Sequence, residues 1–263
     1  MDMGLQNKVA VITGGSVGIG LAVAKGLAAE GSHVVLVARD AGRLDAARSE
    51  VAAGAKVKIA TVACDVATAE GCAIAIAAVQ KEFGGADILI NNAGTGSNET
   101  IMEAPDSKWQ YYWDLHVMAA TRMARGLVPM MKHRGGGVIL NNASICASQP
   151  LWYEPIYNVT KAALVMLSKT MATEFINDGI RVNAINPGFV LTPDWIKTAK
   201  QLTADSGGDW QDYIAQLAKE NAPIGRFSSP EEIANFFVFL CSARASYSVG
   251  STYFVDGGML KTI

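Results

Sequence analysis

Short apolar runs alternate along the chain with longer stretches whose apolar residues recur at helical spacing. Residues 8–13 form a first strand-like run that ends at glycines, and residues 17–30 carry Ala and Leu at helical intervals until Gly31 stops them. Residues 33–38 and 57–62 read as the second and third strands, and 68–83 as an alanine-rich helix closed by Gly84 and Gly85. A fourth strand follows at 87–91, then one long helix at 107–134, which Pro129 should kink or bring to its last turn. Residues 137–143 and 180–186 are further strands, separated by a helix at 155–178 that Gly179 terminates. Between 192 and 229 the pattern is irregular, with two short helices. A helix at 230–241 then opens on Pro230 with Glu231 and Glu232 in its first turn, where acids suit the helix dipole. Residues 251–255 close the series as a seventh strand.

Repeated strand–helix–strand units require right-handed crossovers, and near-continuous apolar strands belong in a sheet covered on both faces. The expectation is an α/β fold: one doubly wound Rossmann-type domain over residues 1–263, with a mostly or wholly parallel seven-stranded sheet. Its ligand crevice should lie at the carboxyl ends of the strands. No linker, charge block or repeat interrupts the chain.

Composition narrows the function classes. The 263 residues are 50% hydrophobic and 17% charged, with a formal net charge of −2. No basic field exists to attract nucleic acid. The cysteines, Cys64, Cys72, Cys146 and Cys241, form no C-x-x-C pair, and small reduced buried side chains are expected. His33, His116 and His133 suggest no metal site. Residues 1–8 lack an apolar signal core, and no uninterrupted apolar stretch reaches a membrane span, so a cytoplasmic protein is expected.

The chemistry begins where the first strand meets the first helix, at Thr13, Gly14, Gly15, Ser16, Val17, Gly18, Ile19 and Gly20. Glycines let backbone approach a pyrophosphate closely, and the helix behind them offers free N–H groups and a positive dipole end. This T-G-x-x-x-G-x-G spacing resembles the short-chain dehydrogenase/reductase family, in its compact single-domain branch. Further matches span nearly the whole chain: Asn91, Asn92, Ala93 and Gly94 after the fourth strand, Ser144 after the fifth, Tyr157 and Lys161 as Y-x-x-x-K, and Asn186, Pro187 and Gly188 with Thr192 beyond.

The resemblance implies that Gly14, Gly18, Ile19 and Gly20 hold the pyrophosphate side of a nicotinamide coenzyme. It places Asp65 at the adenine amino group, counts Val66, Asn92, Ala93, Gly94 and Val190 among the coenzyme-binding residues, and has Asn91 contacting the adenosine ribose region or supporting the sheet. Pro187 and Gly188 would shape the nicotinamide pocket, and Thr192 would reach the carboxamide or the phosphates. The second strand ends at Ala38 where an NAD-binding acid would sit, and Arg39 follows with a forked donor suited to a 2′-phosphate. NADP(H) is therefore the expected coenzyme, with Ser16 adding a hydroxyl contact; NAD is the alternative if Asp40 takes the ribose.

A carbonyl that accepts hydride at carbon needs a proton at oxygen. Tyr157 and Lys161 lie one helical turn apart on one face, and an ammonium beside a phenol should lower its pKa. Ser144 would hydrogen-bond the substrate oxygen, and Tyr157 and Lys161 would also contact the coenzyme. The implied activity is interconversion of a ketone or aldehyde with an alcohol, Tyr157 acting as general acid or base. Where the family usually has an asparagine in the long helix, this chain has His116, either a substituted member of a proton relay or a packed histidine.

Two segments should form the substrate pocket. Residues 145–156 include Gln149, Leu151, Trp152, Tyr153 and Glu154, and 191–226 form a lid with Trp195 and Trp210. Their aromatic density suits an apolar or ring-bearing substrate, or else a subunit interface. Within the family, a 3-oxoacyl thioester reductase and an NAD-dependent alcohol or polyol dehydrogenase stay open, whereas enoyl reductases space their tyrosine and lysine further apart. A non-catalytic dinucleotide sensor is the rival from another class, against which Ser144, Tyr157 and Lys161 argue. By resemblance a homo-oligomer, tetramer or dimer, is expected.

Overall fold

The computed structural model describes residues 2–96, 98–151, 153–204 and 207–261. Seven strands, β1 (Val9–Thr13), β2 (His33–Ala38), β3 (Ile59–Ala63), β4 (Ile88–Asn91), β5 (Gly137–Asn142), β6 (Ile180–Pro187) and β7 (Thr252–Val255), build one sheet in the order β3-β2-β1-β4-β5-β6-β7. Every pairing is parallel, with Val9 opposite His33 and Ile12 opposite Ile90. The sheet is the doubly wound, Rossmann-type sheet expected, and strand order reverses between β1 and β4. That reversal opens a crevice at the carboxyl ends, because the loops after the two strands lead away in opposite directions.

The period of two along each strand sorts the core into two layers. Ala10, Ile12, Val34 and Leu36 face α1 (Gly18–Ala29) and α9 (Pro230–Cys241), where Leu27 and Phe237 are fully buried. Val9, Val11, Val35, Val37 and Leu89 face α3 (Ala69–Phe83), α5 (Ala119–His133) and α6 (Pro155–Phe175) through Val79, Leu127 and Met171. The helices begin where the sequence offers caps. Thr68 accepts from the Gly71 amide, and Ser229 with Glu232 forms a complete capping box.

Three departures from the sequence pattern matter. α2 (Ala41–Gly54) has almost no apolar stripe; it is set by the Asp40 cap, which accepts from the Arg43 amide, and by burial of Leu44, Ala47 and Val51. The long helix at 107–134 is two helices, α4 (Asp106–Trp113) and α5, joined by a π-helical turn over Asp114–Met118. An extra residue in a helical turn re-aims side chains, and this turn carries His116. Pro129 opens the last turn of α5, which ends at His133, as the sequence allows. The third strand starts two residues later and ends one residue later than its apolar run, at Ile59–Ala63 rather than 57–62. The irregular region resolves into the two short helices anticipated, α7 (Pro193–Ala204) and α8 (Trp210–Asn221).

Candidate active site

The glycine loop and the loop after β4 meet at the sheet's switch point. Gly14 and Gly18 take positive φ, +66° and +56°, where a side chain is strained. A Cβ at Gly20 would stand 2.2 Å from the Gly14 carbonyl oxygen, so only glycine lets α1 start this close to the strand. Asn92 ties the two loops together: its side-chain amide donates to the Thr13 and Gly14 carbonyls at 3.0 and 3.2 Å. The Thr13 hydroxyl accepts from the Asn92 and Ala93 amides. Thr192 reaches the same loop, its methyl 3.4 Å from where a Gly18 Cβ would be. This tight glycine cradle, bare of Cβ atoms and backed by a helix N-terminus, fits a dinucleotide pyrophosphate.

The other predicted coenzyme residues lie around that edge. Ser16, Val66 and Val190 are buried, and Ile19 packs on the core. Asp65 follows β3 and accepts from the Ala67 amide through one carboxylate oxygen. Asp40 caps α2 through one carboxylate oxygen and lies 4.0 Å from Arg43, while Arg39 beside it is exposed. Gly188 is required by packing, since a Cβ there would come within 2.8 Å of Asp256. Asn91 supports the sheet: its amide donates to Asn141, which donates in turn to Ser168.

The structure brings Ser144, Tyr157 and Lys161 together. Ser144 caps a 3-10 turn at the end of β5, accepting from the Cys146 amide, and its hydroxyl hydrogen-bonds the Tyr157 phenol. Lys161, buried, donates to the Asn142 carbonyl at 2.7 Å and lies 5.3 Å from the Tyr157 ring centre. One expectation is corrected here. Burial, with the nearby Cys146 and Glu154, raises the Tyr157 pKa above that of a free phenol instead of lowering it, and burial brings Lys161 down to about 8. Desolvation is the largest cause of both shifts, so the phenol keeps its proton at neutral pH and can donate it.

His116 is enclosed. Its Nε2 accepts from the Thr95 amide at 3.4 Å, and its Nδ1 lies 2.8 Å from the Thr160 hydroxyl. That hydroxyl donates to the Ile156 carbonyl, so it accepts from His116, which fixes the Nδ1–H tautomer. Burial and the Lys161 charge hold the ring's pKa well below the usual histidine range. The imidazole is thus neutral, edge-to-face with both Tyr112 and Tyr157 at 5.4 and 5.6 Å, and beside Lys161. A neutral ring with both nitrogens engaged is a poor proton carrier and a good positioner.

The polar surroundings of Tyr157 were not legible in the apolar pattern. Glu154 is buried one turn before it, accepts from the Cys146 thiol at 3.3 Å, and is pushed up to about 7 by burial, with the neighbouring Glu99 adding to the rise. Cys146 itself is pushed up to about 12 by burial and Glu154, which makes it an inert thiol. Asn142 links the two halves of the site: its side chain donates to Asn92 at 2.8 Å while its carbonyl holds Lys161. A polar residue in a buried strand end was the available signal. Trp195 and Trp210 pack with Phe189, Tyr213 and Phe227 into a small core, and Phe189 packs in turn against the cluster of Ile145, Cys146, Leu151 and Tyr157, which sets these aromatics at the border of the site. Gln149 is held by the C-terminal segment, and Trp152 lies outside the described residues.

The chain is similar to known proteins along nearly its whole length. A family model described as enoyl-(acyl carrier protein) reductase matches residues 14–260. Dehydrogenase/reductase SDR family member 4 of Bos taurus is 36% identical over 98% of this chain and 88% of its own. The chain belongs to the short-chain dehydrogenase/reductase family. It is an oxidoreductase of alcohol and carbonyl groups, not a bare dinucleotide-binding module. D-beta-hydroxybutyrate dehydrogenase of Cupriavidus necator is 33% identical over 97% of this chain and 98% of its own. The solved L-sorbose reductase of Gluconobacter frateurii, complexed with NADPH and L-sorbose, is 68% identical over the whole of both chains, with a TM-score of 0.99. Among the described residues, no helix is long and apolar enough to cross a membrane.

Proposed function

We propose that this enzyme is an NADPH-dependent reductase of a polyhydroxy ketone, forming the corresponding polyol. The observation that carries the reading is Glu154, a buried carboxyl group hydrogen-bonded to Cys146 and close enough to Tyr157 and Lys161 to act on both. Its Oε1 accepts only a weak thiol donor, Cys146, so a ligand hydroxyl that donates to the carboxylate would offset more of the cost of its burial, and a sugar offers such hydroxyls where a simple ketone does not. The likeness to a reductase solved with NADPH and L-sorbose supports the same class.

Bound NADPH would supply the hydride. Gly14, Gly18 and Gly20 would cradle its pyrophosphate, Arg39 with Ser16 its 2′-phosphate, Asp65 and Val66 its adenine, and Pro187, Gly188, Val190 and Thr192 its nicotinamide. Ser144 orients the substrate oxygen, and Tyr157, protonated at neutral pH, donates to it as charge develops. Lys161 holds the ribose and restores positive charge near the phenol. His116 keeps Tyr157 and Lys161 in place without titrating. Residues 191–226, whose aromatic cluster adjoins the site through Phe189, act as a lid over one catalytic domain of 263 residues. The enzyme works in the cytoplasm as a homo-oligomer, tetramer or dimer, on a small-molecule substrate.

The test is turnover of purified protein on ketoses, alditols and aryl or cyclic ketones with both coenzymes. Ketoses with NADPH should exceed the apolar ketones by at least about tenfold, the discrimination expected when a buried polar group is left unpaired. Preference for an aryl ketone, or for NADH, would overturn the reading.

A further inference from the structure

We propose that Tyr111 is a specificity-determining residue for the coenzyme: its phenol holds the Arg39 guanidinium ready for the 2′-phosphate. The inference rests on the reading of Arg39 given above. Arg39 follows β2 and is exposed, and its Nη1 donates to the Tyr111 hydroxyl at 3.2 Å. Tyr111 belongs to α4, reached only after β4, so the bond spans the crevice across the end of β1. It joins the two sides of the switch point at the edge where Asp65, Val66 and Ala93 also lie.

The choice of partner has a chemical consequence. The nearest carboxylate in sequence, Asp40, is taken by the α2 cap and Arg43. A carboxylate on Arg39 would neutralise it and have to be displaced by a phosphate. A phenol accepts one N–H and leaves the full charge and four further N–H donors for the anion. An exposed arginine otherwise loses rotamer freedom on binding, and a fixed acceptor removes part of that loss beforehand.

Tyr111 is a firm anchor for this purpose. It is partly buried against the layer that includes Val62, Val66 and Ala93. Its ring meets Tyr112 edge-on at 5.8 Å, Tyr112 meets His116 at 5.4 Å, and His116 meets Tyr157 at 5.6 Å. The Arg39 clamp and the catalytic phenol therefore sit at two ends of one run of packed rings.

The experiment is fluorescence titration of the full chain with NADPH and with NADH, for the parent, Tyr111→Phe, Arg39→Gln and the double variant. Tyr111→Phe should raise the NADPH Kd about three- to tenfold, the range of one ordinary net hydrogen bond, because this pair is exposed to water. The NADH Kd, and kcat at saturating NADPH, should stay within about twofold. Arg39→Gln should abolish most of the NADPH preference, and adding Tyr111→Phe to it should change nothing further. An unchanged NADPH Kd in Tyr111→Phe, or an equal rise for NADH, would overturn the role of Tyr111 while leaving Arg39 intact. An unchanged coenzyme ratio in Arg39→Gln would overturn the reading of Arg39 itself, and the clamp with it.

Discussion

Replacing Glu154 with Gln removes a buried charge while keeping the side chain's shape and its ability to accept from the Cys146 thiol. In the folded protein the carboxyl releases its proton near pH 7, against an ordinary value of 4.5. Between those values the folded state binds more protons than the unfolded chain, so stability falls as pH rises through that window. Above pH 7 the ionised carboxylate costs the ligand-free fold about 3 kcal/mol, at about 1.4 kcal/mol for each pH unit that separates the two values. Glu154→Gln should be nearly equal to the parent in stability at pH 4.5 and more stable at pH 8, by a Tm difference of about 6–10 °C for a domain of this size. Thermal unfolding of both proteins across pH 4.5–8.5, without ligand, reads this directly. Turnover should move the other way: the ketose KM should rise by at least about tenfold, because a neutral amide is a weaker acceptor for a sugar hydroxyl. Parallel pH–stability curves for parent and variant would refute the burial argument, and an unchanged KM would refute the carboxylate's part in recognition.

Three further outcomes follow from the site. His116→Leu leaves the Thr95 amide without its acceptor and frees the ring stack on Tyr157. It should lower kcat at least about tenfold while the coenzyme Kd stays within a small factor. His116→Asn should keep the parent's pH–rate inflections, since the histidine is neutral throughout the working range; a shifted inflection would restore the relay role. In the reductive direction, kcat/KM should decline as pH passes about 8, where buried Lys161 loses its proton in the free enzyme; a profile flat to pH 9.5 would contradict that assignment.

Much of the fold was legible because each layer repeats a local rule. β1 alternates Val9 and Val11 to one face with Ala10 and Ile12 to the other, and Gly31, Gly84 and Gly179 stop helices with positive φ. α2 was illegible because its buried Leu44, Ala47 and Val51, though at helical spacing, are blurred by exposed Ala41, Ala46, Ala52 and Ala53 on its other faces. The π turn was illegible because it depends on how α4 and α5 pack, not on residue type. The catalytic trio was readable from spacing, since one turn of helix places Tyr157 beside Lys161. The protonation states were not: they follow from burial, which only the assembled site reveals, and burial reversed the expected shift of the phenol. The same holds for the aromatic lid residues, whose composition suggested a pocket and whose packing forms a small core.

Carbonyl reduction here turns on one proton at the Tyr157 hydroxyl. Tyr157→Phe, titrated with NADPH and then assayed with ketose under single-turnover conditions, isolates it. Coenzyme binding should match the parent within a small factor, while hydride transfer should fall by about two to four orders of magnitude, the usual worth of a general acid. Hydride transfer within a few-fold of the parent, with the coenzyme fully bound, would contradict the account.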